Sequence, residues 1–308
     1  MKRFHIALLS AALLAGVAFT GCAPQEPVPG DEASTEAAAH NLNLQGDFKG
    51  PLGLQLWSVR DSMENDVPGT LQKVHDWGFR EVEMAGTYGL SAQQFKQALD
   101  NAGIQATSMH VDYNLLRDSL DKVVSDAKTL GVKYLGVAWI PHPEDQPFSV
   151  EQAREAAANF NEWGQAMHDN GIQFFYHTHG YEFQPTADGT IPFDVLMNET
   201  DPTNVKYEMD VFWVTRPGQD PAALLKKYPD RWELMHVKDM KKGTPTNDFS
   251  GGAPATAEVP VGTGQIDYRG VLNAAQDIGL DEYYIEDETT DPFGNIPQSV
   301  SWLETVAY

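Results

Sequence analysis

Histidines and charged residues gather at the ends of apolar, strand-like segments of the chain. The residues concerned are His110, His177, His179, Asp210, His236, Lys238 and Glu286. Side chains alternate across a strand, so His177 and His179 share one face, and the same holds for His236 and Lys238. Carboxylates and imidazoles that meet in one place stay unpaired or repel each other unless a cation lies between them. An Asp, Glu and His set favours Mn, Mg, Co or Zn, so the pattern predicts a site for one divalent metal ion.

Two tryptophans and two glutamates follow other predicted strands. They are Trp57, Glu83, Trp139 and Glu182. The flat faces of the two tryptophans suit stacking on a ring-shaped ligand, and we expect all four residues to contact the substrate. The alternative, in which Trp57 and Trp139 only plug the centre of the fold, stays open.

The segments that carry these residues alternate between helix-like and strand-like patterns. Five times, an amphipathic stretch ends in glycine and a strand-like run begins at once, at Gly78, Gly103, Gly131, Gly171 and Gly279. This junction is typical of the connection from a helix to the next strand in βα units. Eight strands are predicted: Gly53–Val59, Arg80–Met84, Gln105–Val111, Lys133–Ile140, Gln173–His179, Val205–Val214, Trp232–Val237 and Glu282–Glu286. Eight such units predict an α/β fold of the (β/α)8 TIM barrel type, because the chain carries no G-x-G-x-x-G loop that would favour an open doubly wound sheet.

The N-terminus has the pattern of an export signal. Two basic residues precede an apolar run that is shorter than the roughly 20 residues a membrane span needs. The run ends at Phe19-Thr20-Gly21-Cys22, which resembles a bacterial lipobox with Cys22 as the lipidated residue. We therefore predict a lipoprotein-type signal peptide at 1–21, a flexible linker at 22–50 and the barrel at 51–308. The protein is then exported and lipid-anchored, facing the periplasm from the outer membrane; an ordinary signal or an uncleaved anchor is the alternative.

Composition excludes several classes of protein. The 308 residues are 42% hydrophobic and carry a formal net charge of −23, with a single cysteine. One cysteine excludes an internal disulfide framework, and such an acidic chain is a poor partner for nucleic acid. The expected membrane contact is the N-terminal lipid alone, and a homo-oligomer stays open. A small neutral ligand fits the composition.

Five segments of the chain carry a family resemblance: Leu54–Arg60, Tyr176–Phe183, Met209–Val211, His236–Asp239 and Tyr284–Glu286. In this order, they resemble strand motifs of the sugar isomerase/epimerase superfamily, which has the xylose isomerase-like TIM barrel. Inosose dehydratases and ketose 3-epimerases are members of this superfamily. The resemblance implies a (β/α)8 barrel that uses one divalent metal ion to move a proton next to a sugar carbonyl.

The resemblance also implies the metal ligands, which are Asp210, His236 and Glu286. Ketose epimerases of the family have a glutamate where this chain has His177. We expect His177 to be the fourth ligand, with Glu182 reaching back as the alternative. An epimerase of this kind uses two opposed glutamates, one to remove a proton from one face of the substrate and one to return it from the other. Since one of the two is replaced by His177 here, symmetric epimerisation is a weaker expectation than isomerisation or elimination of water.

The resemblance leaves the acid and base open. Glu286, His110 or His179 could act as the base, and Lys238 could stabilise the enediolate or protonate a leaving hydroxyl.

Three functions compete on these grounds. We expect a metal-dependent isomerase, epimerase or dehydratase that acts on an unphosphorylated keto-sugar or keto-glycoside, since phosphorylated sugars are mainly cytoplasmic. A non-catalytic sugar-binding lipoprotein on the same barrel is the alternative. A related endonuclease is disfavoured by the acidic charge. The Gly- and Pro-rich loop at 241–265 is expected to be a mobile lid over the site.

Overall fold

The computed structural model describes residues 42–143 and 146–308, and within them a closed barrel of eight parallel strands. These strands are β1 (Leu52–Gln55), β2 (Glu81–Met84), β3 (Gln105–His110), β4 (Tyr134–Val137), β5 (Gln173–His177), β6 (Val205–Asp210), β7 (Trp232–Val237) and β10 (Glu282–Ile285). Each strand pairs with the next in sequence, and β10 closes the ring against β1. The predicted (β/α)8 barrel is confirmed.

Helices connect the strands on the outside. They are α1 (Arg60–Asn65), α2 (Val67–Asp76), α3 (Ala92–Ala102), α4 (Tyr113–Leu130), α5 (Val150–His168), α6 (Pro192–Glu199), α7 (Val211–Thr215), α8 (Pro221–Lys227), α9 (Tyr268–Ile278) and α10 (Pro292–Thr305). The five junction glycines all have positive φ, from 68° to 101°, as the predicted helix-to-strand turns require.

The β1 and β6 strands end four residues earlier than the sequence pattern predicts. The β1 strand stops at Gln55, whose side chain accepts a hydrogen bond from Trp57 N at 3.0 Å and begins a short 3-10 helix, Leu56–Val59. The β6 strand stops at Asp210, which caps α7 by accepting from Trp213 N at 3.0 Å. In both places a side chain captures a backbone N–H that would otherwise continue the strand.

Large side chains fill the barrel interior below its C-terminal mouth. Tyr134, Phe175, Leu234 and Tyr284 form one buried cluster there. Room for the rings comes from Gly136, where a Cβ would stand 2.6 Å from the Phe175 ring. The rings of Phe175 and Tyr284 lie 5.4 Å from His110 and 6.4 Å from His236, respectively, so the cluster forms a firm floor for the site.

The segment just before β1 packs against the end of the chain. Leu42 and Phe48 are buried, and the amides of Gln45 and Gly46 both donate to Glu304 O at 2.8 Å. The packed part therefore begins before the predicted boundary at residue 51, because two isolated apolar residues gave no periodic signal. Cys22 and the predicted signal peptide lie outside the described residues. Among the described helices, none combines the length and apolar character needed to cross a membrane.

The long loop after β7 is anchored at both ends. Its β8 (Asp239–Met240) and β9 (Glu258–Val259) form a small antiparallel sheet. The buried carboxylate of Asp239 accepts from Gly262 N at 3.0 Å and Gly264 N at 2.8 Å. A Cβ on Gly264 would stand 2.2 Å from that carboxylate, so the Gly-x-Gly sequence here serves a backbone clamp.

Candidate active site

Four side chains meet at the C-terminal ends of β5, β6, β7 and β10. Ligating atoms of Asp210, His236 and Glu286 lie within 4.8 Å of one another. The Nδ1 of His236 is 3.7 Å from Asp210 Oδ2 and 3.2 Å from Glu286 Oε2. The Nε2 of His177 lies 3.9 Å from the same Asp210 oxygen. These are the four residues expected to bind the metal, and the barrel brings them together.

Asp210 gives the test of whether this group fits a cation. Its Oδ1 caps α7, whereas its Oδ2 is buried with no hydrogen-bond partner. A buried carboxylate oxygen without a partner is costly unless a positive group faces it. The oxygen instead faces two imidazoles and a second carboxylate, so the donor set fits a divalent ion such as Mn, Mg, Co or Zn.

A second set of acids lies beneath the first and orients its histidines. Glu208 Oε2 accepts from His177 Nδ1 at 2.8 Å and from His110 Nε2 at 2.9 Å. Glu83 Oε1 accepts from His236 Nε2 at 2.6 Å. These contacts leave His177 Nε2 and His236 Nδ1 directed at Asp210, which is the carboxylate–histidine arrangement typical of metal sites.

Glu208 was missed by the sequence reasoning. Two-residue alternation from Asp210 along β6 would have placed it on the inner face. Ligand atoms of Glu208, His110, His177 and His236 also lie within 4.8 Å of one another, so the two acid sets share two histidines.

The charges in the site are set by burial and close neighbours. Burial lowers the pKa of His177 to about 3, helped by the charge of His236, so this ring is in the neutral form that a metal requires. Burial opposes ionisation of Glu286, but Lys238 and His236 outweigh it and hold its pKa well below the usual value. Burial also opposes the charge of His110, yet the carboxylates of Glu83 and Glu208 raise its pKa.

Lys238 lies beneath the cavity surface among three carboxylates. Its Nζ is 3.1 Å from Glu286 Oε2 and 3.4 Å from Glu258 Oε1, and it also donates to Glu288. Burial opposes its charge, but these acids raise its pKa well above the ordinary value, so it is a fixed ammonium. Its contacts fit it to hold Glu286 and Glu288 in place, while its predicted direct role on substrate stays a prediction.

A cavity of about 320 Å³ opens above the metal-binding group. His177 and Glu286 form part of its wall, together with His110, His179 and Trp57. Trp57 is 43% exposed and donates from Nε1 to Glu288 Oε1 at 3.0 Å. Burial lowers the pKa of His179 to about 4, with Lys238 adding to the effect, so its ring is neutral at neutral pH. The cavity thus presents proton acceptors together with an imidazole, that of His110, whose pKa two carboxylates raise.

The remaining sequence-predicted residues lie away from this cavity surface. Glu83 is fully buried and accepts from Gln55 and Ser108 as well as His236. Glu182 is also fully buried and accepts from His179 N at 2.9 Å, which closes the loop after β5.

Trp139 stands at the edge, with its ring 5.1 Å from that of His179, and it lines a neighbouring cavity. Direct contact of Glu83, Glu182 and Trp139 with substrate stays a prediction.

Comparisons with known proteins agree on the barrel. A model of the family described as the xylose isomerase-like TIM barrel matches residues 71–306. An inosose dehydratase of Lacticaseibacillus casei is 28% identical over 157 residues, 48% of this chain and 51% of the relative. The chain therefore spans about half the length of that relative. An inosose dehydratase of Clostridium tetani is 24% identical over 257 residues, 74% of this chain and 84% of the relative.

Solved structures share the fold. A sugar phosphate isomerase/epimerase of Parabacteroides distasonis superposes with a TM-score of 0.68 at 23% identity, covering 82% of this chain and 96% of that one. The 3-keto-D-glucoside 4-epimerase of E. coli has a TM-score of 0.61 at 16% identity, covering 84% of this chain and 100% of that one.

Proposed function

The chain belongs to the xylose isomerase-like TIM barrel family, and we propose that it is a divalent-metal-dependent enzyme that moves a proton next to the carbonyl of an unphosphorylated keto-sugar or keto-glycoside. One observation carries the proposal. The unpartnered Oδ2 of Asp210 faces His177, His236 and Glu286 at the floor of a cavity that also exposes His110 and His179. The inosose dehydratases among its relatives support a sugar as the substrate.

The metal site comprises His177, Asp210, His236 and Glu286. A bound divalent ion polarises the carbonyl of a hydroxyketone and makes the neighbouring C–H acidic. The chain's own contribution is to fix the ligand directions, through Glu208 on His177 and Glu83 on His236.

Proton transfer is the work of the cavity wall. Glu286 and His179 are both unprotonated at neutral pH, so either can accept the proton from the carbon next to the carbonyl. Among the histidines that line the cavity, His110 is held close to the carboxylates of Glu83 and Glu208, which raise its pKa, and we assign it as the proton donor. Where the donated proton goes to the adjacent hydroxyl, water leaves and the net reaction is a dehydration. That outcome uses both kinds of group and agrees with the relatives' names.

The wall of the cavity supports a substrate without a phosphate group. Within the described residues that line it there is no lysine or arginine, while Glu286, Glu288 and Asp112 contribute acid. Away from the metal site, a phosphate dianion would meet these carboxylates without a lysine or arginine beside it, which is unfavourable.

Metal analysis followed by exchange in D2O tests the proposal. The purified protein should hold about one divalent ion per chain, and incubation with keto-sugars and keto-glycosides should place deuterium next to the carbonyl or release water. Removing the metal should abolish exchange, and His179→Gln or Glu286→Gln should lower kcat by about 100-fold or more. Sugar binding with neither exchange nor turnover would favour the non-catalytic sugar-binding lipoprotein instead.

A further inference from the structure

A second, larger cavity adjoins the proposed catalytic cavity, and we propose that it binds the non-reacting ring of a two-ring substrate, a neutral keto-disaccharide. This inference rests on the proposed function and names its substrate class. The outer cavity has a volume of about 830 Å³, against about 320 Å³ for the inner one. Ligand pockets span roughly 300–1,000 Å³, so the inner cavity is at the lower limit and the outer one has room for a further unit.

Trp139 lies where the two cavities meet. Its neighbour Ala138 lines the inner cavity, and Trp139 itself lines the outer one. The indole ring is 5.1 Å from the ring of His179, an inner-wall residue, and 4.6 Å from that of Tyr181, an outer-wall residue. Trp139 therefore stands beside both cavities.

The floor of the outer cavity is aromatic. His142 stacks on Trp139 with 4.9 Å between ring centroids, and Tyr181 lies 4.4 Å from His142. Phe148, which is buried, supports Tyr181 at 5.3 Å. Trp139 remains 37% exposed, so aromatic surface is available to the apolar face of a ring.

The rest of the wall suits hydroxyl groups and excludes a charged ligand. Gln146, Gln184, Asn247 and Ser250 supply neutral donors and acceptors. The one carboxylate among the described residues of this wall, Asp248, is already paired with Arg216 at 2.6 Å. Among the described residues that line the cavity, none is lysine or arginine, so a phosphate or carboxylate ligand has no cation to bind. A neutral polyol is the class of ligand that this wall matches.

Hydrogen bonds and one close backbone contact hold the wall of the outer cavity. Arg216 also donates to Pro245 O, and Asp248 N donates to Arg216 O at 3.2 Å. The backbone of Gly251 packs directly against the indole of Trp139, since a Cβ on Gly251 would stand 2.9 Å from that ring. The φ angle of Gly251 is +68°. The loop therefore holds the outer cavity in shape beside Trp139.

Rates on one-ring and two-ring substrates test the inference. The metal-loaded protein is given methyl 3-keto-glucoside or one of the 3-keto derivatives of cellobiose, maltose and sucrose. We expect kcat/KM to be at least about tenfold higher for the best two-ring compound. Ser250→Trp should fill the outer cavity and remove that preference, and His142→Ala should weaken it by withdrawing part of the floor. Ser125→Trp, on the exposed surface of α4, is the matched control and should keep the preference.

Two outcomes would overturn the inference while leaving the proposed function intact: equal kcat/KM for one-ring and two-ring compounds, or a preference that survives Ser250→Trp. If no keto-sugar exchanges deuterium, the proposed function fails, and calorimetry with unoxidised cellobiose, maltose and sucrose decides the outer site separately. Binding that Ser250→Trp weakens at least tenfold would support the site; no binding, or binding unchanged by Ser250→Trp, would overturn it.

Discussion

Asp210 is the residue on which the metal site depends most. Its two oxygens have separate tasks, since Oδ1 caps α7 and Oδ2 faces the imidazoles without a partner. Asp210→Asn keeps an oxygen for Trp213 N but removes the charge. We expect affinity for Zn or Mn to fall by more than the roughly 10–100-fold typical of outer contacts to a metal ligand. Equilibrium dialysis with elemental analysis measures the change.

Asp220 offers a matched control for that substitution. It also caps a helix, α8, by accepting from Ala223 N at 3.1 Å, and it lies outside the site. Asp220→Asn should leave metal affinity unchanged. If Asp210→Asn binds metal as tightly as the unsubstituted protein, the ion does not sit where we place it.

Glu182 carries a buried charge that makes stability depend on pH. Burial raises its pKa from 4.5 to about 7, because its carboxylate has no exposed surface. A folded-state pKa above the unfolded one favours the protonated form, so the cost of ionisation grows from about pH 4.5 and is complete above pH 7. Glu182→Gln should therefore gain relative stability between pH 5 and pH 8, by about 3 kcal/mol at most.

Urea denaturation at the two pH values measures this difference. The exposed Glu162 on α5 gives the control, since Glu162→Gln should show nearly the same stability difference from the unsubstituted protein at both. A gain of Glu182→Gln that is the same at pH 5 and pH 8 would mean that the carboxyl does not titrate in this range.

At the scale of elements, the eight strands were predictable, whereas one of the two acids beneath the metal-binding group, Glu208, was not predicted. An apolar run directly after Gly171 identified β5 and so placed His177, and the alternation of helix-like and strand-like patterns identified β7 and so placed His236. The β6 strand was drawn too long, because apolar residues after Asp210 fit a strand as well as they fit the short helix α7. Glu208 was overlooked because hydrophobic patterning gives no reason to expect a fully buried carboxylate two residues before the metal ligand Asp210 on the same strand.

The loop after β7 was expected to be a mobile lid, and its hydrogen bonds to Asp239 restrain the part of the loop around Gly262 and Gly264. The Asp239 carboxylate accepts from four backbone amides, those of Met240, Gly262, Gly264 and Ile266. Asp239→Ala leaves these amides without their acceptor and should cost about 2 kcal/mol or more. Hydrogen exchange at Gly262 and Gly264 should accelerate at the same time.

The exposed Asp277 on α9 serves as the reference position for this change. Asp277→Ala should alter neither the unfolding free energy nor exchange in the loop. Unchanged protection of Gly262 and Gly264 in Asp239→Ala would show that β8 and β9 hold the loop without the carboxylate.

At the scale of the whole molecule, the end of the barrel at which the chain enters it is relevant to the predicted lipid anchor. Phe48 packs on Tyr283 at 5.1 Å, near the start of β10, and so lies at the N-terminal end of the strands. The cavities lie at the opposite, C-terminal end. We propose that the protein is exported and lipid-anchored through Cys22. A tether that enters from the face away from the mouth leaves the cavities accessible to substrate.

Cys22→Ala tests that arrangement in the producing bacterium. The acyl chains proposed on Cys22 would hold the protein at the membrane, and the variant cannot carry them. It should therefore move from the membrane fraction to the soluble fraction and should no longer incorporate labelled palmitate. Its kcat/KM should be unchanged, because all the residues proposed for catalysis lie in the barrel. Ser34→Ala, in the segment between the anchor and the barrel, should stay with the membrane. Release of both variants, or retention of both, would show that Cys22 is not the anchor and would return the N-terminus to an ordinary signal or an uncleaved one.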